Sequence, residues 1–446
     1  MNWRVLWLLI RPARTGASTL VLPVVAFAVI TTVALGVAAI AGRFWFAPDN
    51  EFGAYRLLGA GLVILLLVPL STLAGAAARL SARRRDDRLA TLRLLGATSA
   101  LVRRIAFFEA VVVAAIGAVI GVLLYLLTAP LLLLVPVQGE TAQAEEMWLP
   151  WWVTVSLAVG VVAIAALSAT ASLRMVVMSP LGVRTRSEAP RLRWVRLLIG
   201  GGVIALALVL LQSVSGSWGA TGIAAAYAVA LVAVMSVLGV VGPFLTARFA
   251  GLRAKRASTA SGLIAARVVL ESPATAWRQV SGVALASFLV VPAGSMLGYL
   301  DMIQRTSPVV TDENRVLFTD IRTVLLVALV VSFLLVACSV GVTQAAAVLE
   351  RGAFYVSLDR LGMSRREMNR SRWGAVLLPL LVASIGSALA STALVFLLVA
   401  IAVATAPLFV VGVALLLAAG IGAVRIAVAA TTPVLRSVLA RPERVL

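Results

Sequence analysis

Histidine is absent from the 446 residues, and cysteine and lysine occur once each, as Cys338 and Lys255. Without histidine, Ser-His-Asp and Cys-His catalysis and every His-bearing metal site are excluded. A lone cysteine makes no intrachain disulfide and no Cys-cluster zinc site. The phosphate-binding pattern G-x-x-x-x-G-K-[ST] is missing too, since Lys255 follows Ala254 rather than glycine, so this chain does not bind ATP by a P-loop. Charge is scarce: 13% of residues are charged and mean hydropathy is +1.06. Many apolar runs exceed the ~18 residues that mark a membrane-spanning helix. The chain reads as an all-α polytopic membrane protein. Its net charge of +20 does not point to nucleic acid, which needs a basic patch on a solvated module; here the arginines lie between apolar runs. No cleavable signal peptide is expected, because the first long apolar run is a full span.

What is present is a sequence of ten expected spans. An N-terminal stretch over 2–14 carries Trp3, Leu6, Trp7 and Ile10 with Arg4, Arg11 and Arg14 interleaved. That is the pattern of an interfacial helix, with indole rings at the headgroup level. Spans are expected at about 17–41, 57–78, 105–135, from after Trp152 to about 173, 197–211, 223–245, 280–300, 324–347, 373–403 and 408–430. If the first end is cytoplasmic, the arginines test this count. All but five of the 38 Lys and Arg then fall on the cytoplasmic side; the exceptions are Arg43, Arg56, Arg305, Arg315 and Arg322. The alternation predicts both termini in the cytoplasm.

Two charged runs on that side match each other. RRRDDRLATLRLLGATSALVRR (83–104) and ERGAFYVSLDRLGMSRREMNR (350–370) align with Gly96 and Gly362 set 266 residues apart. Arg85 then meets Arg351, Leu92 meets Leu358, Leu95 meets Leu361, and Thr98 meets Ser364. Both runs lie after the second span of a four-span set, which makes a parallel internal repeat. The expected domains are 1–175, a linker and two-helix hairpin at 176–250, and 251–446. Before the second set, Leu263, Ala266, Val269 and Leu270 give an apolar helix face ahead of Pro273, matching the N-terminal stretch. In the second run Phe354, Tyr355, Leu358 and Leu361 form one apolar stripe ending at Gly362. Leu89, Leu92 and Leu95 repeat that spacing in the first. A stripe outside the bilayer and ringed with Arg calls for a protein groove; the plainer reading is an Arg-anchored helix lying on anionic lipid.

Smaller features are read structurally. Glu109 is expected to pair with Arg104, and Arg425 to anchor the end of its helix. Gly117 and Gly121 form a G-x-x-x-G, a close-packing face.

The paired runs resemble the coupling segment of the FtsX-like, or MacB-like, permeases of ABC transporters. There a stretch of the type R-x-x-E/D-x-a-x-L-R-a-L-G-a-S separates the second and third helices of a four-helix domain. Arg85, Leu92, Arg93, Leu95, Gly96, Ala97 and Thr98 fit it in the first copy. Glu350, Arg351, Leu358, Leu361, Gly362, Met363 and Ser364 fit in the second, where Asp359 replaces the expected Arg. The ten-helix plan is similar to the bacitracin-efflux-type permeases, but the loops at about 43–56 and 301–322 are too short for the large extracytoplasmic domain of that family. The resemblance implies a permease subunit, not an enzyme, in a bacterial cytoplasmic membrane. It implies two ATPase subunits per chain, with ATP and Mg held on the partner and no cofactor here. Arg85, Leu89, Leu92, Leu95, Gly96, Ala97, Arg351, Tyr355, Leu358, Leu361, Gly362 and Met363 would then meet the ATPase. With almost no charge in the spans, the expected cargo is hydrophobic or amphipathic: a peptide antibiotic, drug or lipid-like molecule. The alternative is a non-transporting signal transmitter acting on a cell-envelope partner. An ion-coupled transporter would require ionisable residues at mid-membrane.

Overall fold

A computed structural model describes residues 17–46, 54–94, 98–139, 148–178, 195–213, 219–306, 312–405 and 408–439, nearly all helical. Two compact units emerge. The first comprises Met1–Thr185 and Thr311–Ala346, the second Arg186–Val310 and Ala347–Leu446.

In the first unit, α1 (Ala17–Phe46), α2 (Ala54–Leu94), α3 (Ser99–Thr128) and α4 (Trp151–Met178) follow in order. Most of α9 (Asp312–Glu350) belongs with them. One core joins Phe27 and Ile30 of α1 to Leu73 and Ala77 of α2, Ala114 of α3, and Leu335 of α9. A second, toward the other end, joins Phe44, Tyr55, Leu62 and Leu66 to Val324 and Ala328 of α9. In lipid, tight packing rather than burial from water holds helices together, and the α1–α3 crossing shows how. A side chain placed at Gly117 would stand 2.6 Å from Phe27 Cβ; one at Gly121 would stand 2.6 Å from the Ala28 carbonyl. Only glycine lets these backbones approach, and Thr32 Oγ1 donates to the Gly121 carbonyl at 3.0 Å across the crossing. The expected G-x-x-x-G face is therefore real.

α3 ends where Pro130 enters, in a 3-10 turn over Ala129–Leu134. The chain then passes through positive φ at Gln138 (55°) and Gly139 (78°). The buried Asp320 of α9 holds this bend: its carboxylate accepts the Gln138 N–H at 2.8 Å and a hydrogen bond from Tyr55. Arg43 donates to the Val135 carbonyl at 2.7 Å alongside. The sequence reading left Asp320 in a loop; α9 starts twelve residues before the expected span and carries it inward.

The second unit holds α5 (Val195–Gln212), α6 (Gly219–Lys255), α7 (Ala260–Glu271) and α8 (Pro273–Thr306). After these come α10 (Gly352–Arg360), α11 (Arg365–Leu394), α12 (Phe396–Thr405), α13 (Leu408–Ala430) and α14 (Thr432–Leu439). α8 is the most enclosed of the apolar helices and α13 the least. Small residues let α11 lie close to α8, where Ser391 Oγ donates to the Phe288 carbonyl at 2.7 Å. α7 is the expected short amphipathic helix before Pro273, capped by Thr259, with Ala265, Ala266 and Val269 turned inward and Leu263 outward. Its N-terminal counterpart at 2–14 lies outside the described residues.

Nine helices among the described residues are long and apolar enough to cross a membrane, against ten expected. The fifth expected span is present as the helix α5, whose apolar stretch among the described residues is Leu198–Ala207. The ninth is broken at Val395 into α11 and α12.

Candidate functional site

The second charged run folds into a helix–turn–helix whose punctuation is written in Leu361-Gly362-Met363-Ser364. α9 breaks at Arg351 and resumes as α10. Gly362 ends α10 at φ 83°, a left-handed conformation that glycine adopts without penalty. The Gly362 N–H donates to the Asp359 carbonyl at 2.9 Å and the Met363 N–H to the Leu358 carbonyl at 3.0 Å. These are the paired bonds of a Schellman stop, and Met363 and Leu358 pack on the same core, as that motif requires. Ser364 then starts α11. Its hydroxyl accepts the Glu367 N–H at 3.3 Å, while Glu367 Oε2 accepts the Ser364 N–H at 3.3 Å, a reciprocal capping box.

In the first run, α2 continues without a break through Arg85, Leu89 and Leu92 to Leu94. Leu95, Gly96 and Ala97 lie outside the described residues. Thr98 then caps α3, accepting the Leu101 N–H at 3.4 Å. The two caps share one backbone conformation: φ −69°, ψ 150° at Thr98 and φ −67°, ψ 149° at Ser364. Thr98 and Ser364, which the alignment pairs, thus play the same structural part, whereas Arg85 lies within a helix and Arg351 at a break.

The stripe on α10 is divided between two jobs. Tyr355 is buried, with Val356, against Val348 of α9, Met368 of α11 and Leu435 of α14; Leu358 and Met363 pack at the edge of this cluster. Burial raises the Tyr355 phenol above its usual range, with the nearby Arg372 and Arg351 pulling the other way. Phe354 is 41% exposed and Leu361 82%. Around them Ser357, Asp359, Arg360, Arg365, Arg366 and Arg370 are exposed. Arg351 is half-buried and reaches Glu271 of α7 at 3.2 Å, a surface ion pair of small energetic value.

Two supports went unseen in the sequence. α14 slides Leu435 beneath Tyr355, and the pattern Thr432-Pro433 followed by Leu435 and Leu439 was its signal, proline being favoured at a helix start. Arg372 is buried on α11 and hydrogen-bonds the Thr431 hydroxyl and, at 3.1 Å, Asn369 Oδ1. Elsewhere, Arg425 lies over the Trp373 ring at 5.8 Å. Glu109 makes no ion pair with Arg104 among the described residues, since five residues along a helix is about 140° around it.

No group of His, Cys, Asp and Glu that could hold a metal occurs among the described residues. No curated protein matches the chain. Residues 60–180, which contain the whole first charged run and its Thr98 cap, match the family model described as FtsX-like permease C-terminal. This segment is therefore similar to the C-terminal domain of FtsX-like permeases, and it lies in a chain with apolar helices long enough to span a membrane.

Proposed function

We propose that this protein is the permease subunit of an ATP-binding cassette transporter, driven by a separate ATPase that docks on the two charged segments. The observation that carries the reading is the turn at 361–364. A Schellman stop and a capping box hold Leu361 outward, while Tyr355 and Leu358 fasten the same short helix to its own unit. An exposed leucine and phenylalanine ringed by arginines fit an apolar protein groove with an acidic rim. The matched caps at Thr98 and Ser364 support a second, equivalent docking point and hence two ATPase subunits per chain. The cargo is hydrophobic or amphipathic and is exported or expelled toward the outer leaflet of a bacterial cytoplasmic membrane. Asp320 is read as a structural group, since its Oδ2 accepts the Gln138 N–H and its carboxylate is hydrogen-bonded by Tyr55.

The test is capture of an ABC-type ATPase by the tagged chain, with the ATPase rate measured in the complex. Leu361→Glu should weaken capture and remove stimulation while the permease still folds; Leu92→Glu should do the same from the first run. Leu358→Glu is the poorer probe, because Leu358 also packs inside the unit. Undiminished ATPase binding by the Leu92→Glu, Leu361→Glu double variant, or cargo movement in vesicles without any ATPase, sinks the proposal.

A further inference from the structure

A groove of about 850 Å³ opens on the second unit between α6, the start of α7, and α11. Its volume is within the ~300–1,000 Å³ range of small-molecule sites. Phe249 and Leu252 of α6 form one wall; Leu378, Val382, Ile385 and Leu389 of α11 form the other. Ile385 and Leu389 are more than half exposed, so this wall is open to a chain-shaped occupant. Arg253 and Arg256, at the C-terminal end of α6, line the same groove with Ser258 and Thr259. Both arginines are exposed, and neither has an ion-pair partner among the described residues. No acidic side chain lines the groove.

These features ask for a particular chemistry. A wall of leucine, isoleucine and phenylalanine takes a hydrocarbon chain, and two unpaired guanidiniums beside it take a phosphate. A soluble anion would leave the apolar wall unused. A zwitterionic lipid would bring an ammonium group toward two arginines with no carboxylate to receive it. We propose that this groove binds one membrane phospholipid with a net negative headgroup, its phosphate at Arg253 and Arg256 and an acyl chain along Leu378–Leu389. The site needs no ATPase, so it stands or falls apart from the docking reading above.

The experiment uses the full chain in nanodiscs with phosphatidylglycerol and phosphatidylcholine probes, each bearing a photoactivatable group on one acyl chain. Labelled peptides are read by mass spectrometry. The phosphatidylglycerol probe should label the 378–389 segment on the order of tenfold more than phosphatidylcholine, the preference expected of two arginines near a membrane surface. Arg253→Ala with Arg256→Ala should bring that ratio close to one while leaving apolar labelling. Gly386→Phe should block labelling by both probes; a side chain starting at Gly386 meets nothing within 4 Å, so the helix accepts it. If Gly386→Phe lowers the melting temperature, Ile385→Trp serves as the second blocking variant. Equal labelling by both probes in the unaltered protein shows ordinary annular lipid and overturns the proposal. So does a phosphatidylglycerol preference that survives loss of both arginines.

Discussion

Replacing glycine by alanine at three positions on the α1–α3 pair should give shifts of opposite sign. At Gly117 the new methyl would sit 2.6 Å from Phe27 Cβ and 2.9 Å from the Val24 carbonyl oxygen; at Gly121, 2.6 Å from both the Ala28 carbonyl oxygen and Thr31 Cβ. Ordinary contact needs roughly 1 Å more, so the helices must part, and overpacking of this kind costs about 1–3 kcal/mol. At Gly121 the same parting stretches the 3.0 Å bond from Thr32 to the residue-121 carbonyl, worth ~0.6 kcal/mol for an interhelical bond in a membrane. Gly36, on α1 itself, faces open space. There alanine only improves helix propensity, by up to about 1 kcal/mol. Cys338 gives the assay. It is the only cysteine, and it packs against the core that Phe27 and Ala114 share. A thiol-reactive dye during heating in detergent therefore reports the opening of this interface. Gly117→Ala and Gly121→Ala should melt several degrees below the parent protein, and Gly36→Ala at or above it. The double variant should cost less than the sum, since both methyls push on one crossing. Three equal shifts would falsify the packing argument.

Other expectations are as direct. Ser364→Ala removes the hydroxyl arm of the capping box, leaving the backbone N–H to Glu367 Oε2, and should cost ~0.5–2 kcal/mol, read as a lower melting temperature; an unchanged value would mean α11 needs no cap. Gly362→Ala forces an L side chain into the left-handed region and should cost about 1–2 kcal/mol, whereas Met363→Leu, which keeps the Schellman contact, should be close to neutral. Asp320→Ala leaves the Gln138 N–H without its acceptor and should destabilise by about 1.5–3 kcal/mol; Asp320→Asn, which keeps an acceptor, should recover part of that loss. Deleting residues from Thr432 onward should expose Tyr355 and speed proteolysis within 352–360, and unchanged cleavage would show that α14 is dispensable.

The helices were legible because hydrophobic runs in lipid are long and bounded by charge. α13 spans the expected residues, 408–430. The turn was legible for a different reason: Leu-Gly-x-Ser/Thr encodes a left-handed stop followed by a cap, both set by local backbone chemistry. Where tertiary contacts decide, the sequence was mute. The apolar stripe on α10 could be seen, but not that Tyr355 would turn inward and Leu361 outward, because the choice depends on α14. Asp320 looked like an ordinary loop acid since nothing local reveals that a bend some 180 residues earlier needs its carboxylate.

The break at Arg351 sets a mechanical difference between the two arms. α2 is one continuous helix of 41 residues, about 61 Å long, with Pro69 in its apolar half and no break in its charged half. The α9–α10 elbow would fold under load were the last helix of the chain not wedged behind it through Leu435. The stiffness of that arm is therefore adjustable from the carboxyl end: whatever pries α14 loose, a bulky tag or a bound protein, softens one arm while the other stays rigid.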